Sequence, residues 1–139
     1  MPELPPLSLT PEFEDRLSGT GQQFLAEFLL LGSRRDPSNL LALSELAQVL
    51  TQLGRIREGL EADLKLAALA PDDAMVHYNL ACSLCLIGNK QESLDALERS
   101  VELGYDDLEH LLQDEDLMDL NEEPRFQALA DRLGEAESG

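Results

Sequence analysis

The chain has 139 residues, with 28 acidic against 10 basic side chains, a formal charge of −18, two cysteines and no tryptophan. That is room for one domain with a core of its own, and an apolar content carried by Leu and Ala rather than by aromatics predicts an all-α class. The charge argues against nucleic acid and anionic membrane as partners, since both are held by clustered Lys and Arg, and two cysteines are too few for a disulfide scaffold.

Residues 1–9, beginning MPELPPL, are expected to be disordered. They lack the basic and unbroken apolar regions of a signal peptide, so a cytoplasmic location is the expectation. The longest apolar run, FLAEFLLLG from Phe24 to Gly32, is interrupted by Glu27 and falls short of the ~20 residues that span a bilayer. Thr10 can N-cap a helix that has Pro11 at its first position, where the missing N–H costs nothing. SGTG at residues 18–21 breaks that helix, and a second apolar run continues to the stop at Asp36-Pro37. Residues 10–36 are therefore expected to form a helical hairpin, either a cap or a degenerate repeat.

Sliding the chain by 34 residues superimposes Pro37 on Pro71, Leu46 on Leu80, Ala47 on Ala81, Leu50 on Leu84, Gly54 on Gly88 and Glu58 on Glu92. Within each unit apolar residues recur three or four apart, as in Leu43, Leu46, Ala47, Leu50 and Leu53, which places them on one helix face. Gly54 and Gly88 stop the first helix of each unit, and a second apolar set follows. Units 37–71 and 72–105 are thus expected to be helix-turn-helix hairpins.

With this period and a closing proline, about 70 residues resemble the tetratricopeptide repeat (TPR) family. The residues carrying the resemblance are Leu46, Ala47, Gly54, Gly59 and Pro71 in the first unit and Leu80, Ala81, Gly88, Ser93 and Tyr105 in the second, Tyr105 replacing the usual proline. Asp63 stands where the family has an aromatic residue, and Leu43 and His77 where it has Trp. The resemblance implies a short α-solenoid of antiparallel helix hairpins. It also implies that the first helices line a concave groove with Leu41, Ser44, Gln48, Thr51 and Gln52 from one unit and Met75, Tyr78, Cys82, Cys85 and Leu86 from the other. The family's carboxylate clamp of Lys, Asn and Arg has no counterpart, because these positions hold no Lys or Arg.

Residues 106–134 keep Leu108, Leu111, Leu112, Leu117, Leu120, Phe126 and Leu129 among many acids. Two short helices near 106–113 and 124–133 are expected to cap the open end of the second repeat, acids outward, and residues 135–139 to be disordered. The cluster Asp114, Glu115 and Asp116 lacks the spacing of a calcium loop and reads as solvated.

The stretch HYNLACSLC, from His77 to Cys85, invites a redox or metal reading. A reactive C-x-x-C pair needs its first sulfur at a helix N-terminus, whereas Cys82 and Cys85 fall deep inside a helix. His77 at i−5 is turned by ~500° from Cys82, leaving two converging ligands where zinc needs four. No catalytic residue, cofactor or metal is assigned. The functional expectation is a non-catalytic interaction module that binds a protein or peptide, basic or with hydrophobic anchors, with Tyr78 and Met75 as the main contacts. The alternatives are a self-associating homodimer, a groove filled by the chain's own N-terminal segment, and a redox or metal-binding protein using Cys82, Cys85 and His77.

Overall fold

The structure is a computed structural model and describes residues 40–138. The expectations for the N-terminal segment and for the hairpin over 10–36 lie outside the described residues. Within them, helix α1 covers Leu40–Gln52, α2 Ile56–Leu69, α3 Ala74–Leu86, α4 Lys90–Glu102, α5 Leu108–Gln113 and α6 Pro124–Ser138, with a 3₁₀ helix at Glu115–Leu120. Every regular element among the described residues is a helix, as the composition predicts.

Three helices end in the same way. Gly54, Gly88 and Gly104 have φ of +79°, +89° and +114°, a region where a side chain would be strained. The following residue donates its N–H back across the last turn, Arg55 to Leu50, Asn89 to Leu84 and Tyr105 to Ser100, at 2.9, 2.9 and 3.0 Å. The third terminator explains an irregularity in the repeat. The first unit stops its second helix at Pro71, whereas in the second unit Gly104 already provides the stop, so the proline position is free to hold the aromatic Tyr105.

The starts are set by capping as well. Asp73 accepts from the backbone N–H of Met75 and Val76 at the head of α3, and Asp107 accepts from that of His110 in α5.

Small residues set the approach of the paired helices. Ser93 in α4 is fully buried and donates its hydroxyl to the Ala81 carbonyl at 2.6 Å. In the first unit the equivalent carbonyl, Ala47, accepts from Thr51 Oγ1 at 2.9 Å. A Cβ on the facing Gly59 would lie 2.8 Å from Thr51 Oγ1 and 3.3 Å from the Ala47 oxygen. Gly59→Leu should therefore force α1 and α2 apart and lower stability by about 2 kcal/mol, read as a fall in the urea midpoint.

The hairpins stack, α1 on α2, α2 on α3 and α3 on α4. One continuous core runs from α3 and α4 into the C-terminal segment through Tyr78, Leu94, Leu97, Leu111, Leu117, Leu120, Phe126 and Leu129. Outside it, Arg125 fastens the start of α6 to α4: its guanidinium donates to Glu98 and Asp95, each at 2.6 Å.

One boundary and one element differ from expectation. Helix α6 continues through Glu135 to Ser138, where disorder was expected, because Leu133 is buried and its turn carries the chain onward. The 3₁₀ helix between the two cap helices was not foreseen.

Candidate functional site

The two halves of the expected groove have different fates. Along α1, Leu41, Ser44, Gln48 and Gln52 are exposed, and Thr51 is half-buried with its hydroxyl on Ala47. Along α3, Met75 and Leu86 are exposed at the two ends, but Tyr78, Cys82 and Cys85 between them are buried. What covers these three is the chain's own C-terminal segment, for the 3₁₀ helix packs on this face of α3. Tyr78, expected to be a principal contact for a partner, is 1% exposed. The physical reason is that Leu111, Leu117 and Leu120 are themselves almost fully buried there, each removing a large apolar side chain from water.

Asp114 is the polar centre of the seal. It ends α5 and caps the 3₁₀ helix, accepting from Asp116 N–H through Oδ1 at 3.0 Å. Its Oδ2 accepts the Tyr78 hydroxyl at 2.7 Å, lies 3.7 Å from Cys82 Sγ and 3.5 Å from His110 Nε2. The sequence expectation of a solvated acidic cluster therefore fails at Asp114, whose side chain is 14% exposed. The Tyr78 ring stacks on Tyr105 with centroids 4.4 Å apart and is tilted against His110 at 5.5 Å. Burial, and then the bond to Asp114, push the Tyr78 phenol far above its ordinary range. Tyr105 is pushed up to about 12, chiefly by burial.

The cysteines are likewise silenced. Burial first, then the negative charge of Asp114 and Asp116, raises Cys82 well above the ordinary thiol range, and burial raises Cys85. A thiol held protonated is a poor nucleophile and a poor metal ligand. His77 is not with them: its Nε2 lies 2.8 Å from the Pro71 carbonyl. The donor atoms that do converge are those of Cys82, Asp114 and Asp116, within 4.8 Å of one another. The redox and metal reading through Cys82, Cys85 and His77 is thus not supported. Iodoacetamide should label either thiol roughly tenfold or more slowly in the native chain than in the unfolded one; mass spectrometry of quenched time points measures this.

A second buried acid comes from α2. Asp63 in α2 is 3% exposed and accepts the Ser83 hydroxyl of α3 at 2.5 Å. Burial raises its carboxyl to about 6, an effect the bond from Ser83 opposes in part.

No family model and no curated protein matches the sequence. Among solved structures the chain is similar to the crystal structure of MamA, with a TM-score of 0.63 and 19% identity, covering 93% of this chain and 68% of that one. The likeness shows the fold, an all-helical TPR-like repeat arrangement. No helix among the described residues is long and apolar enough to cross a membrane.

Proposed function

We propose that the chain is a non-catalytic protein-interaction module that receives a peptide segment of its partner along α1, on Leu41, Ser44, Gln48 and Gln52, and that it works in the cytoplasm. The observation carrying this reading is the contrast between the halves: the α1 face is exposed and largely polar, and Leu41, 71% exposed, is its most exposed apolar residue. Such a surface offers hydrogen bonds along an extended or helical peptide and one apolar anchor point. The sealed α3 face keeps only Met75 and Leu86 for contact at its ends. The thiols and phenols of the seal, held protonated by burial, are poor nucleophiles.

The test is affinity capture from a cell extract with the native chain and with a Leu41→Glu, Gln48→Glu variant of unchanged circular dichroism. Partners recovered by the native chain should be lost with the variant, and an unchanged set would refute the α1 surface. A second reading, association of two copies, rests on the exposed Leu40, Leu41, Leu64 and Leu69, all in the first unit. Light scattering after size exclusion decides it: a mass that stays monomeric as concentration rises excludes the dimer.

A further inference from the structure

Segment 106–123 holds nine acidic residues and neither Lys nor Arg. Among the described residues, the arginine ion pairs run to Glu58, Asp72, Asp95, Glu98 and Glu102, all outside this segment. Asp114 is bonded within the seal and Asp107 caps α5, but the structure records no ion pair between this segment and a Lys or Arg among the described residues.

The segment begins with an exposed ridge, Asp106 and Asp107, between two open hollows. One, of about 440 Å³, has the half-exposed Met75 at its edge, with Tyr105 and His110 also lining it. The other, of about 400 Å³, lies against α6 and is lined by Leu133, Ala136 and Glu137. Each is large enough to admit an apolar side chain, and neither is lined by Lys or Arg. The larger hollow is mostly apolar, and the smaller one sets Leu133 and Ala136 beside three acids, Asp106, Asp107 and Glu137. Apolar side chains flanked by cations fit this arrangement, since the acids fix register and favour encounter while the apolar lining supplies the anchor.

We infer that the Asp106–Asp107 ridge and its two flanking hollows form a second docking surface, whose occupant is a basic segment of a partner protein carrying apolar side chains on either side of a Lys or Arg. The inference rests on the reading of the chain as an interaction module, and it gives that module a partner chemistry which the α1 surface does not. Met75 is common to both accounts: it is the exposed end of the sealed α3 face and the rim of the larger hollow. The methionine suits this place, because its unbranched, polarizable side chain adapts to different anchors.

The experiment titrates the isotope-labelled full chain with a short synthetic peptide in which leucines flank a Lys-Arg pair. One control peptide has serines for the leucines, and another has glutamates for the Lys-Arg pair. The expected result is saturable binding, with amide shift changes at Met75, Asp106 and Ala136, weakened roughly tenfold or more by Asp106→Lys, by Met75→Glu and by either control peptide. Both substituted positions are exposed, and Asp106→Lys, away from any helix core, keeps the test valid if Met75→Glu perturbs the fold. Absence of saturable binding overturns the inference, as do shift changes that map to α1 or binding indifferent to the leucines and to both variants. If this fails while the α1 variant still loses its captured partners, only the second surface falls. If both fail, the interaction-module reading falls with it.

Discussion

Leu120→Ala should lower the stability of the chain by about 3 kcal/mol, the middle of the range for a fully buried leucine that leaves a cavity. Leu120 is 0% exposed and belongs to the core shared by α3, α4 and the C-terminal segment. Its own element, a six-residue 3₁₀ helix, has strained hydrogen-bond geometry and no stability in isolation. It stays on α3 because Leu117 and Leu120 are buried there and Asp114 is bonded to Tyr78. A loss of this size is a large fraction of the stability of a small domain. The substitution should also open the seal locally, so Cys82 and Cys85 should become faster to alkylate in the variant at denaturant concentrations where α1 and α2 remain helical. Urea titration followed by circular dichroism, with thiol labelling in parallel, reads both effects. An unchanged midpoint would mean that the segment does not rest on α3.

Asp63→Asn should stabilise the chain at neutral pH and flatten part of its pH dependence. The folded-state carboxyl titrates near 6, above its ordinary 3.8. The folded state therefore holds its proton more tightly than the unfolded one. Stability is greatest below the ordinary value, falls as pH rises toward 6, and stays reduced above it. The full effect is on the order of 3 kcal/mol, from about 1.4 kcal/mol per pKa unit. Asparagine keeps an acceptor for the Ser83 hydroxyl without the charge, so a gain of about 1–2 kcal/mol at pH 7.5 is expected, vanishing below about pH 4. Taking the difference between native and variant matters, because a chain of formal charge −18 also relieves general repulsion as its other carboxylates protonate. Asp116, whose carboxyl is likewise raised by burial, contributes with the same sign and cancels in that difference. A native-minus-variant difference that does not change between pH 4 and 7 would contradict the burial of an ionisable Asp63.

The 34-residue register carried most of the fold. Leu46 and Leu80, Ala47 and Ala81, and Gly54 and Gly88 occupy equivalent places in two hairpins because each pair answers the same local need, a packed helix face or a left-handed stop. What the register did not reveal is where the C-terminal leucines go, since that depends on long-range packing rather than on local period. A signal for it was nevertheless present in α3, AMVHYNLACSLCL, which is apolar or small nearly all round. A helix of that kind is buried on every side, while α1 places Ser44, Gln48 and Gln52 on the corresponding face. The difference between the two halves of the expected groove is the difference between an open face and a sealed one. Asp63 is a comparable case: its place at a position the family fills with an aromatic marked an irregularity, but only the packing of Ser83 against it shows how the carboxylate is accommodated.

The C-terminal segment lies on α3 of the same chain, and a nuclear Overhauser spectrum of the labelled monomer tests this most directly. The Tyr78 and His110 rings, with centroids 5.5 Å apart, should give cross-peaks between their ring protons, and isotope-filtered mixing of labelled with unlabelled chain should show them to be intramolecular. Absence of those cross-peaks, with the Tyr78 ring resonances strongly broadened by a soluble paramagnetic probe, would contradict it.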